Sequence, residues 1–347
     1  IRDKLVTGVQ TCALPILEFR TKMNTLGQGV LMGINKAVDL AEKNFRGIVI
    51  GNEGSHFSAG ANLGAIFMAS AEQEYDEINL AIKFFQDSMM KLRYSSIPVI
   101  AAPHGLTLGG GCEVTMHCDK AVAYSESYIG LVEVGAGLIP GGGGCKEMAL
   151  RASNKFSKND VELNVLQEYF LNIGMAKTST SAYEAIDLGY LQPNNDTIIM
   201  NRNHQISIAK KHAILMADYG YLPPYRTKEI KVLGKQALGM FMVGTDSMQA
   251  GKYISEHDKK IANKLAYVMA GGDLSEPTYV SEQYLLDLER EAFLSLTTER
   301  KSLERLEKKL IKLEKEKHEI SINQISKIKN KLFPNNVLQE RSDNIIS

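Results

Sequence analysis

Two glutamates, each inside a glycine-rich segment, are the residues of this chain best suited to catalysis. Glu113 lies in Leu108-Gly-Gly-Gly-Cys-Glu113-Val, and Glu133 lies in Gly130-Leu-Val-Glu133-Val-Gly-Ala-Gly. If their surroundings separate the two pKa values, one carboxylate can act as general base and the other as general acid on a single water. Backbone N–H groups in glycine-rich turns can meanwhile stabilise an oxyanion. This combination indicates an enzyme.

The elements that must position these residues alternate between short apolar strands and helices. Residues 47–51 and 97–102 predict buried strands, whereas residues 29–42 and 75–92 carry apolar side chains at helical spacing. This alternation predicts an α/β fold with largely buried sheets. The second strand runs into a glycine turn and then a helix that would hold Glu113 near its positive N-terminus. Taken alone, that segment is equally typical of an ordinary helix start with tight packing.

The strand signals stop at about residue 204. Helices are expected at 204–219, 227–242, 255–269 and 281–296, and Ser255-Glu-His-Asp258 predicts a capping box. We therefore predict a separate, all-helical domain over residues 201–301. After Thr298 the composition shifts to Lys, Glu and Leu, and the leucine spacing at 303, 306, 310 and 313 predicts an amphipathic or coiled-coil helix.

Composition excludes several functional classes. Lys+Arg and Asp+Glu balance at 40 each in 347 residues, so no global field favours nucleic acid or an anionic membrane, and neither is expected as a partner. No apolar run is long enough to span a membrane, and the N-terminus lacks the pattern of a signal peptide. The four cysteines form no CxxC pair, so we predict no metal site, reduced thiols and a cytoplasmic location.

The sequence lacks three common motifs of nucleotide-binding proteins and serine hydrolases. The run Gly141–Gly144 lacks the Lys-Ser/Thr ending of a phosphate-binding P-loop, and residues 27–33 lack the third glycine of a dinucleotide fingerprint. We therefore expect no NAD site and no tightly bound cofactor. His117 follows Glu113 by four residues without a further ligand, and structural or solvent roles are expected for it and for His56 and His104. A G-x-S-x-G serine elbow is also absent from the sequence.

The first sixteen residues differ in character from the rest. The stretch Val6-Thr-Gly-Val-Gln-Thr-Cys-Ala-Leu-Pro-Ile16 resembles the translation of a sequencing adapter. We predict that residues 1–16 are a non-native leader that takes no part in the fold. The alternative is an irregular N-terminal arm that belongs to the protein.

Four motifs occur together in the α/β part: Phe57-Ser-Ala-Gly-Ala-Asn62-Leu, Gly109-Gly-Gly-Cys-Glu113, Glu133-x6-Pro140-Gly-Gly-Gly-Gly144 and Ser181-Ala-Tyr-Glu-Ala-Ile-Asp-Leu-Gly189. With these motifs and spacings, residues 17 to about 191 resemble the enoyl-CoA hydratase/isomerase (crotonase) family. The resemblance implies a crotonase-like spiral of ββα units, which we assign to residues 17–200. It also implies an acyl-CoA thioester substrate and hydration of a trans-2-enoyl-CoA in fatty-acid β-oxidation.

The same resemblance implies roles for individual residues. Glu113 and Glu133 would flank the α,β double bond and hold the water, and the N–H groups of Ala61 and Gly110 would form the oxyanion hole for the thioester carbonyl. Further substrate-binding residues would be Ser58, Ala59, Asn62, Leu63, Gly109 and Gly141. Asn62 stands where the family commonly has aspartate, which puts a hydrogen bond near the CoA arm in question. Related isomerases often keep one of the two acids, so the pair favours hydration.

Within the family, the chain is most similar to the hydratase part of bacterial fused 3-hydroxyacyl-CoA dehydrogenase/enoyl-CoA hydratase proteins. Residues 201–301 resemble the helical C-terminal region of those fusions, whose NAD-binding domain would be absent here, and with it the dehydrogenase activity. The strand that should pair with Leu17-Glu-Phe19 is expected to be missing, because the leader residues stand in its place. Residues 302–347 resemble the C-terminal coiled-coil part of bacillithiol-biosynthesis cysteine-adding enzymes, which suggests a chimera; a family-specific helical extension is the alternative.

Two other functions remain open from the sequence. An enoyl-CoA isomerase would use the same fold, and a truncated chain could persist as a non-catalytic fragment that binds acyl-CoA or serves in assembly. The family resemblance also makes a homo-oligomer possible.

Overall fold

A computed structural model describes residues 14–157, 161–226 and 229–315. The strands are β1 Ile16–Leu17, β2 Ile48–Ile50, β3 Val99–Ala101, β4 Gly105–Leu108, β5 Lys120–Tyr124, β6 Ser127–Gly130, β7 Thr197–Ile199, β8 Ile230–Val232 and β9 Thr278–Val280. The helices are α1 Gln28–Asn44, α2 Leu63–Ala71, α3 Tyr75–Arg93, α4 Gly110–His117, α5 Gly144–Lys155, α6 Glu162–Gly174, α7 Ala182–Asp187, α8 Gln205–Asp218, α9 Lys235–Ala250, α10 Glu256–Ala270, α11 Glu282–Thr297 and α12 Arg300–Lys315.

Two parallel sheets organise the first part of the chain. The larger has the strand order β1-β2-β3-β5-β7, and the smaller pairs β4 with β6. The apolar triplets of β2 and β3 are buried throughout, because helices cover both faces of the larger sheet. The chain repeats a unit of two strands and a helix, in which the first strand joins the larger sheet and the second joins the smaller. These units are β3-β4-α4 and β5-β6-α5. The predicted spiral of ββα units is therefore observed.

Most predicted helices are present within a few residues of their expected bounds. The capping box also forms, since the Ser255 side chain accepts from the Asp258 amide and the Asp258 carboxylate accepts from the Ser255 amide. One prediction was wrong: residues 227–242 do not form a single helix. Ile230–Val232 instead pairs antiparallel with Thr278–Val280, and the helix begins at Lys235. The β-branched Ile230 and Val232 bury against α5 and α11, a packing that overrides local helix propensity.

The part expected to be a separate, all-helical domain shares its core with the α/β part. A single apolar cluster joins buried residues of α4 and α5 to those of α9–α12. Cys112, Met148, Ile261, Phe293 and Leu306 all belong to it. The segment assigned to residues 201–301 therefore contains a small sheet and packs as one body with the ββα units.

Residues at the predicted end of the leader take part in this packing. Leu14 is buried beside Val49 and Ile100, and Ile16 pairs with Val49 in the larger sheet. Among the described residues, β1 has a neighbour on one side only, at the edge of the sheet. Residues 1–13, including Cys12, lie outside the described residues.

Helix α12 crosses the predicted boundary at residues 301 and 302 without a break. Its Leu303, Leu306 and Leu310 are buried in the shared core. The Ser302 hydroxyl donates to the Gly137 carbonyl oxygen at 2.8 Å, which fastens this helix to the segment that follows Glu133. The predicted coiled-coil continuation over residues 316–347 lies outside the described residues. Within residues 14–157, 161–226 and 229–315, every helix is too short or too polar to be a candidate membrane span.

Candidate active site

Glu113 sits in the first turn of α4, where the smaller sheet ends. Strand β4 runs into Gly109 and the helix begins at Gly110, so this turn fixes the glutamate. The sequence predicted the glycine turn and the helix, but it took residues 97–102 as the preceding strand and missed β4. Its side chain is 1% exposed. Two backbone amides, from Gly142 and Gly144, donate to its Oε1 atom at 2.8 Å each. The second glycine-rich segment therefore holds the glutamate of the first.

Glu133 begins a 3-10 turn, Glu133–Ala136, after strand β6. A Cβ atom placed on Gly109 would lie 2.8 Å from Glu133 Oε1, so the carboxylate packs against the turn that leads into α4. Its Oε2 atom is buried and accepts no hydrogen bond from the described residues. Buried carboxylate oxygens normally have partners, so this free acceptor marks a position for a polar group of a ligand or a water.

The environment of both glutamates favours the protonated acid. Burial, with repulsion from Glu133 and Glu289, raises the pKa of Glu113 well above its usual range, and the Gly142 and Gly144 amides oppose this. Burial is also the main reason that the pKa of Glu133 rises to about 7. Because these carboxyl groups repel one another, they titrate as a set, and their surroundings favour keeping a proton within the cluster.

Two backbone amides adjoin the carboxylates. A Cβ atom on Gly60 would lie 3.4 Å from the Gly110 nitrogen, and one on Gly110 would lie 3.4 Å from the Ala61 nitrogen. Gly60 and Gly109, the residues that precede these two amides, have φ values of +97° and +52°, a backbone region that favours glycine. Neither the Ala61 nor the Gly110 amide donates a hydrogen bond to another described residue. The geometry is suited to binding an oxyanion.

The residues predicted to bind substrate fall into two groups. Ser58 is buried, donates to the Asn24 carbonyl oxygen and accepts from the Gly60 amide, which makes it a support for the loop. Asn62 is exposed and caps α2 by accepting from the Ala65 amide at 3.3 Å. Ala59 and Leu63 flank these positions and are half-buried, and Gly109 adjoins Glu133. Gly141 is buried against the Phe293 ring of α11. Their contacts with a substrate remain predictions.

The histidines that the sequence singled out contact backbone or buried side chains. His117 Nδ1 is 2.7 Å from the Glu113 carbonyl oxygen and its Nε2 is 2.9 Å from Lys146 Nζ. Burial, followed by the nearby Lys146 charge, lowers the His117 pKa well below its ordinary value, so the ring is neutral and donates from Nδ1. His104 bridges the Ala102 and Gly54 carbonyl oxygens. Cys112, Cys118 and Cys145 are free thiols, and no cluster of described residues could hold a metal ion.

Sequence reasoning missed the third carboxylate of the site. Glu289, on α11, is fully buried and accepts hydrogen bonds from amides of the Gly141–Lys146 stretch. A signal was present, because Glu289 interrupts an otherwise apolar helical stripe formed by Leu285, Leu286, Ala292, Phe293 and Leu296. Sequence reasoning also left open the role of the Gly142 and Gly144 amides, which hold Glu113.

Two family models match parts of the chain. Residues 10–159 match the model of the enoyl-CoA hydratase/isomerase family, and residues 295–347 match that of the C-terminal coiled-coil domain of the bacillithiol biosynthesis protein BshC. The second match covers the tail that the sequence analysis likened to those enzymes. It starts within α11, ahead of the predicted boundary.

Several relatives cover most of the chain. A probable 3-hydroxyacyl-CoA dehydrogenase of Bacillus subtilis is 44% identical over 86% of this chain and 37% of its own length. A putative fatty acid oxidation complex trifunctional enzyme of Rickettsia prowazekii is 29% identical over 86% of this chain and 38% of its own length. The chain thus spans less than two-fifths of either relative.

A solved enoyl-CoA hydratase from Bacillus halodurans has the same fold. It covers 87% of this chain and 98% of its own, with a TM-score of 0.58 and 16% identity. The glycine-framed glutamates, the paired amides and the ββα spiral lie in the part of the chain that matches the family model. That part, residues 10–159, belongs to the enoyl-CoA hydratase/isomerase family.

Proposed function

We propose that this protein adds water to a trans-2-enoyl-CoA to give a 3-hydroxyacyl-CoA, as a step of fatty-acid oxidation. The observation that carries the proposal is the convergence of two buried carboxylates and two free amides around Gly109. Glu133 Oε1 packs against Gly109, Glu113 lies in the helix that follows it, and the Ala61 and Gly110 amides adjoin it. An isomerase needs one proton-transferring acid, whereas hydration uses two in one step.

The reaction balances with the groups at hand. One carboxylate accepts a proton from the water while the water oxygen forms a bond to C3 of the substrate. The other carboxyl, already protonated, gives its proton to C2, and the negative charge that develops on the thioester oxygen is stabilised by the Ala61 and Gly110 amides. The net result is addition of H and OH across the double bond. The raised pKa values of Glu113 and Glu133 support this division of roles.

The test is a turnover assay with crotonyl-CoA, whose conjugated-thioester absorbance falls as the double bond is hydrated. We expect the unmutated protein to be active and Glu113→Gln and Glu133→Gln each to lower kcat by roughly a hundredfold to ten-thousandfold, because a proton transfer is lost. Glu229→Gln is the matched control, since Glu229 is an exposed glutamate of the same chain. Near-normal rates in both site variants would refute the assignment.

Product analysis separates hydration from the alternatives. Conversion of a 3-enoyl-CoA to a 2-enoyl-CoA without hydration would identify an isomerase. Calorimetry that detects acyl-CoA binding in the absence of any turnover would identify a binding fragment.

A further inference from the structure

Glu289 contacts the catalytic loop from the side opposite Glu113. Its Oε1 atom accepts from the Gly143 amide at 2.6 Å, and its Oε2 atom accepts from the Cys145 and Lys146 amides at 2.8 and 3.2 Å. The side chain is 0% exposed. A carboxylate sealed from water and bound to three amides has one orientation, and it fixes the backbone that donates to it.

Consecutive amides of this loop alternate between the two glutamates. The Gly142 and Gly144 amides donate to Glu113, whereas the Gly143 and Cys145 amides donate to Glu289. A shift of the loop toward either carboxylate would lengthen bonds to the other. The position of the Glu113 carboxylate therefore depends on Glu289, although Glu289 donates and accepts nothing directly at Glu113.

Helix α11 is held firmly enough to act in this way. At its first residue, Glu282 accepts from Lys146 Nζ at 2.9 Å and pairs with Arg93 at 3.2 Å. Farther along, Leu286 packs over Gly143 and the Phe293 ring packs over Gly141. Apolar contacts and an ion pair thus flank Glu289 on both sides.

The charged and titratable groups that act on Glu289 come from three elements. Glu113 on α4 and Glu133 in the 3-10 turn repel it, Lys146 on α5 attracts it, and the Cys145 thiol lies against it. Burial raises the pKa of Glu289 to about 7, and the loop amides and Lys146 oppose that rise. Its ionisation is therefore linked to that of the two site glutamates.

We propose that Glu289 is a positioning residue for the hydration reaction: it fixes the Gly141–Lys146 stretch against Glu113, and its charge adjusts when Glu113 and Glu133 gain or lose protons. This inference rests on the proposed function. It assigns a role in that reaction to a helix outside the segment that matches the hydratase/isomerase family model.

The test is the pH dependence of kcat/KM for crotonyl-CoA hydration in Glu289→Gln. Removing a negative charge eases ionisation of Glu113 and Glu133, so both limbs of the profile should move to lower pH by roughly one unit. An amide also presents an N–H to the loop amides, which displaces the loop, and kcat should fall roughly tenfold to a hundredfold. KM should change little, because Glu289 is sealed from the substrate side.

Two further variants distinguish the effect of the Glu289 charge from the effect of its contacts. One changes the same position, and the other changes a nearby position on α11. Glu289→Asp keeps the charge but is one methylene shorter, so kcat should fall while both pH limbs stay in place. Glu291→Gln makes the same chemical change at an exposed position two residues away, and both kcat and the pH profile should match the unmutated protein. A folded Glu289→Gln protein with an unmoved pH profile would overturn the proposal.

A titration keeps the proposal testable if Glu289→Gln does not fold. Carbon-13 NMR of labelled glutamate carboxyls in the unmutated chain and in Glu113→Gln should show the Glu289 midpoint moving to lower pH in the variant. No movement would overturn the inference. Loss of turnover in Glu113→Gln together with an unmoved Glu289 midpoint would overturn the inference and leave the proposed function standing. Absence of turnover in the unmutated chain would end the proposed function and with it the role of Glu289 in hydration, even if the Glu289 midpoint moves.

Discussion

Two buried clusters of charged side chains meet at the first turn of α5, and they shift the pKa of a buried glutamate in opposite directions. The carboxylate cluster consists of Glu113, Glu133 and Glu289, which repel one another; Glu113 and Glu289 accept hydrogen bonds from amides of the same loop. The ion-pair cluster consists of Arg93, Lys146, Glu147 and Glu282, in which each carboxylate contacts a cation. Glu113 and Glu147 are both almost fully buried, at 1% and 2% exposed.

Their protonation differs because their neighbours differ. Burial and like charges raise the pKa of Glu113 well above its usual range. Burial also acts to raise the pKa of Glu147, but Arg93 and Lys146 overcome it and hold that pKa well below its usual range. Burial thus acts to raise the pKa of either carboxyl, and neighbouring cations reverse the direction at Glu147. His117 lies between the clusters, contacting the Glu113 backbone and Lys146.

Breaking the ion-pair cluster should have the largest effect on stability. Glu147→Gln leaves Arg93 and Lys146 short of a counter-charge in the interior, so we expect a loss of about 3–5 kcal/mol in the free energy of unfolding. Urea denaturation at pH 7.5 measures it. Glu72→Gln, at an exposed position, is the control. A loss below about 1 kcal/mol would show that the cluster contributes little.

The sign of this contribution also fixes its pH range. Because the folded pKa of Glu147 is depressed, its stabilisation is present above the unfolded pKa near 4.5 and is lost as the pH falls through the folded value.

The carboxylate cluster should respond in the opposite direction. The folded pKa of Glu113 is raised, so its favourable contribution is complete below the unfolded pKa near 4.5 and is lost as the pH rises through the folded value. Glu113→Gln should therefore increase the free energy of unfolding by about 1–2 kcal/mol at pH 8 while it lowers turnover, a trade that strained active sites commonly show. The gain should disappear near pH 4, where the carboxyl is neutral. Urea curves at both pH values check it, and destabilisation at pH 8 would contradict it.

An exposed ion pair should show the smallest effect and so test the importance of burial. Lys83 and Asp87 lie one helical turn apart on α3 with Nζ and Oδ2 2.9 Å apart, and their side chains are 48% and 55% exposed. Asp87→Ala should change the free energy of unfolding by only about 0.3–0.5 kcal/mol, and less in high salt. A loss comparable to that of Glu147→Gln would mean that pairing, without burial, determines the difference between clusters.

Local sequence patterns predicted the parts of this molecule that depend on local geometry. The helix around Glu113, the buried strands and the Ser255–Asp258 capping box all follow from residue spacing and turn chemistry. The ββα spiral was predicted from motifs that resemble a family. In each case the deciding contacts are near in sequence or repeat along the chain.

The failures involve contacts that are distant in sequence. Glu289 meets Gly143 across 146 positions, and nothing local distinguishes it from a surface glutamate except its place in an apolar stripe. Ile230 and Val232 form a strand because Thr278–Val280 supplies the partner. The separate helical domain was expected because the strand signals stop near residue 204, but the apolar faces on both sides of that point share one core.

The hydrogen bond from the Ser302 hydroxyl to the Gly137 carbonyl oxygen attaches α12 to the turn that carries Glu133. A displacement of α12 would therefore be passed on to the turn that carries Glu133. The side of α12 that bears Ser302 and Leu306 is buried, so substitutions there should be tolerated less well than substitutions on its exposed side.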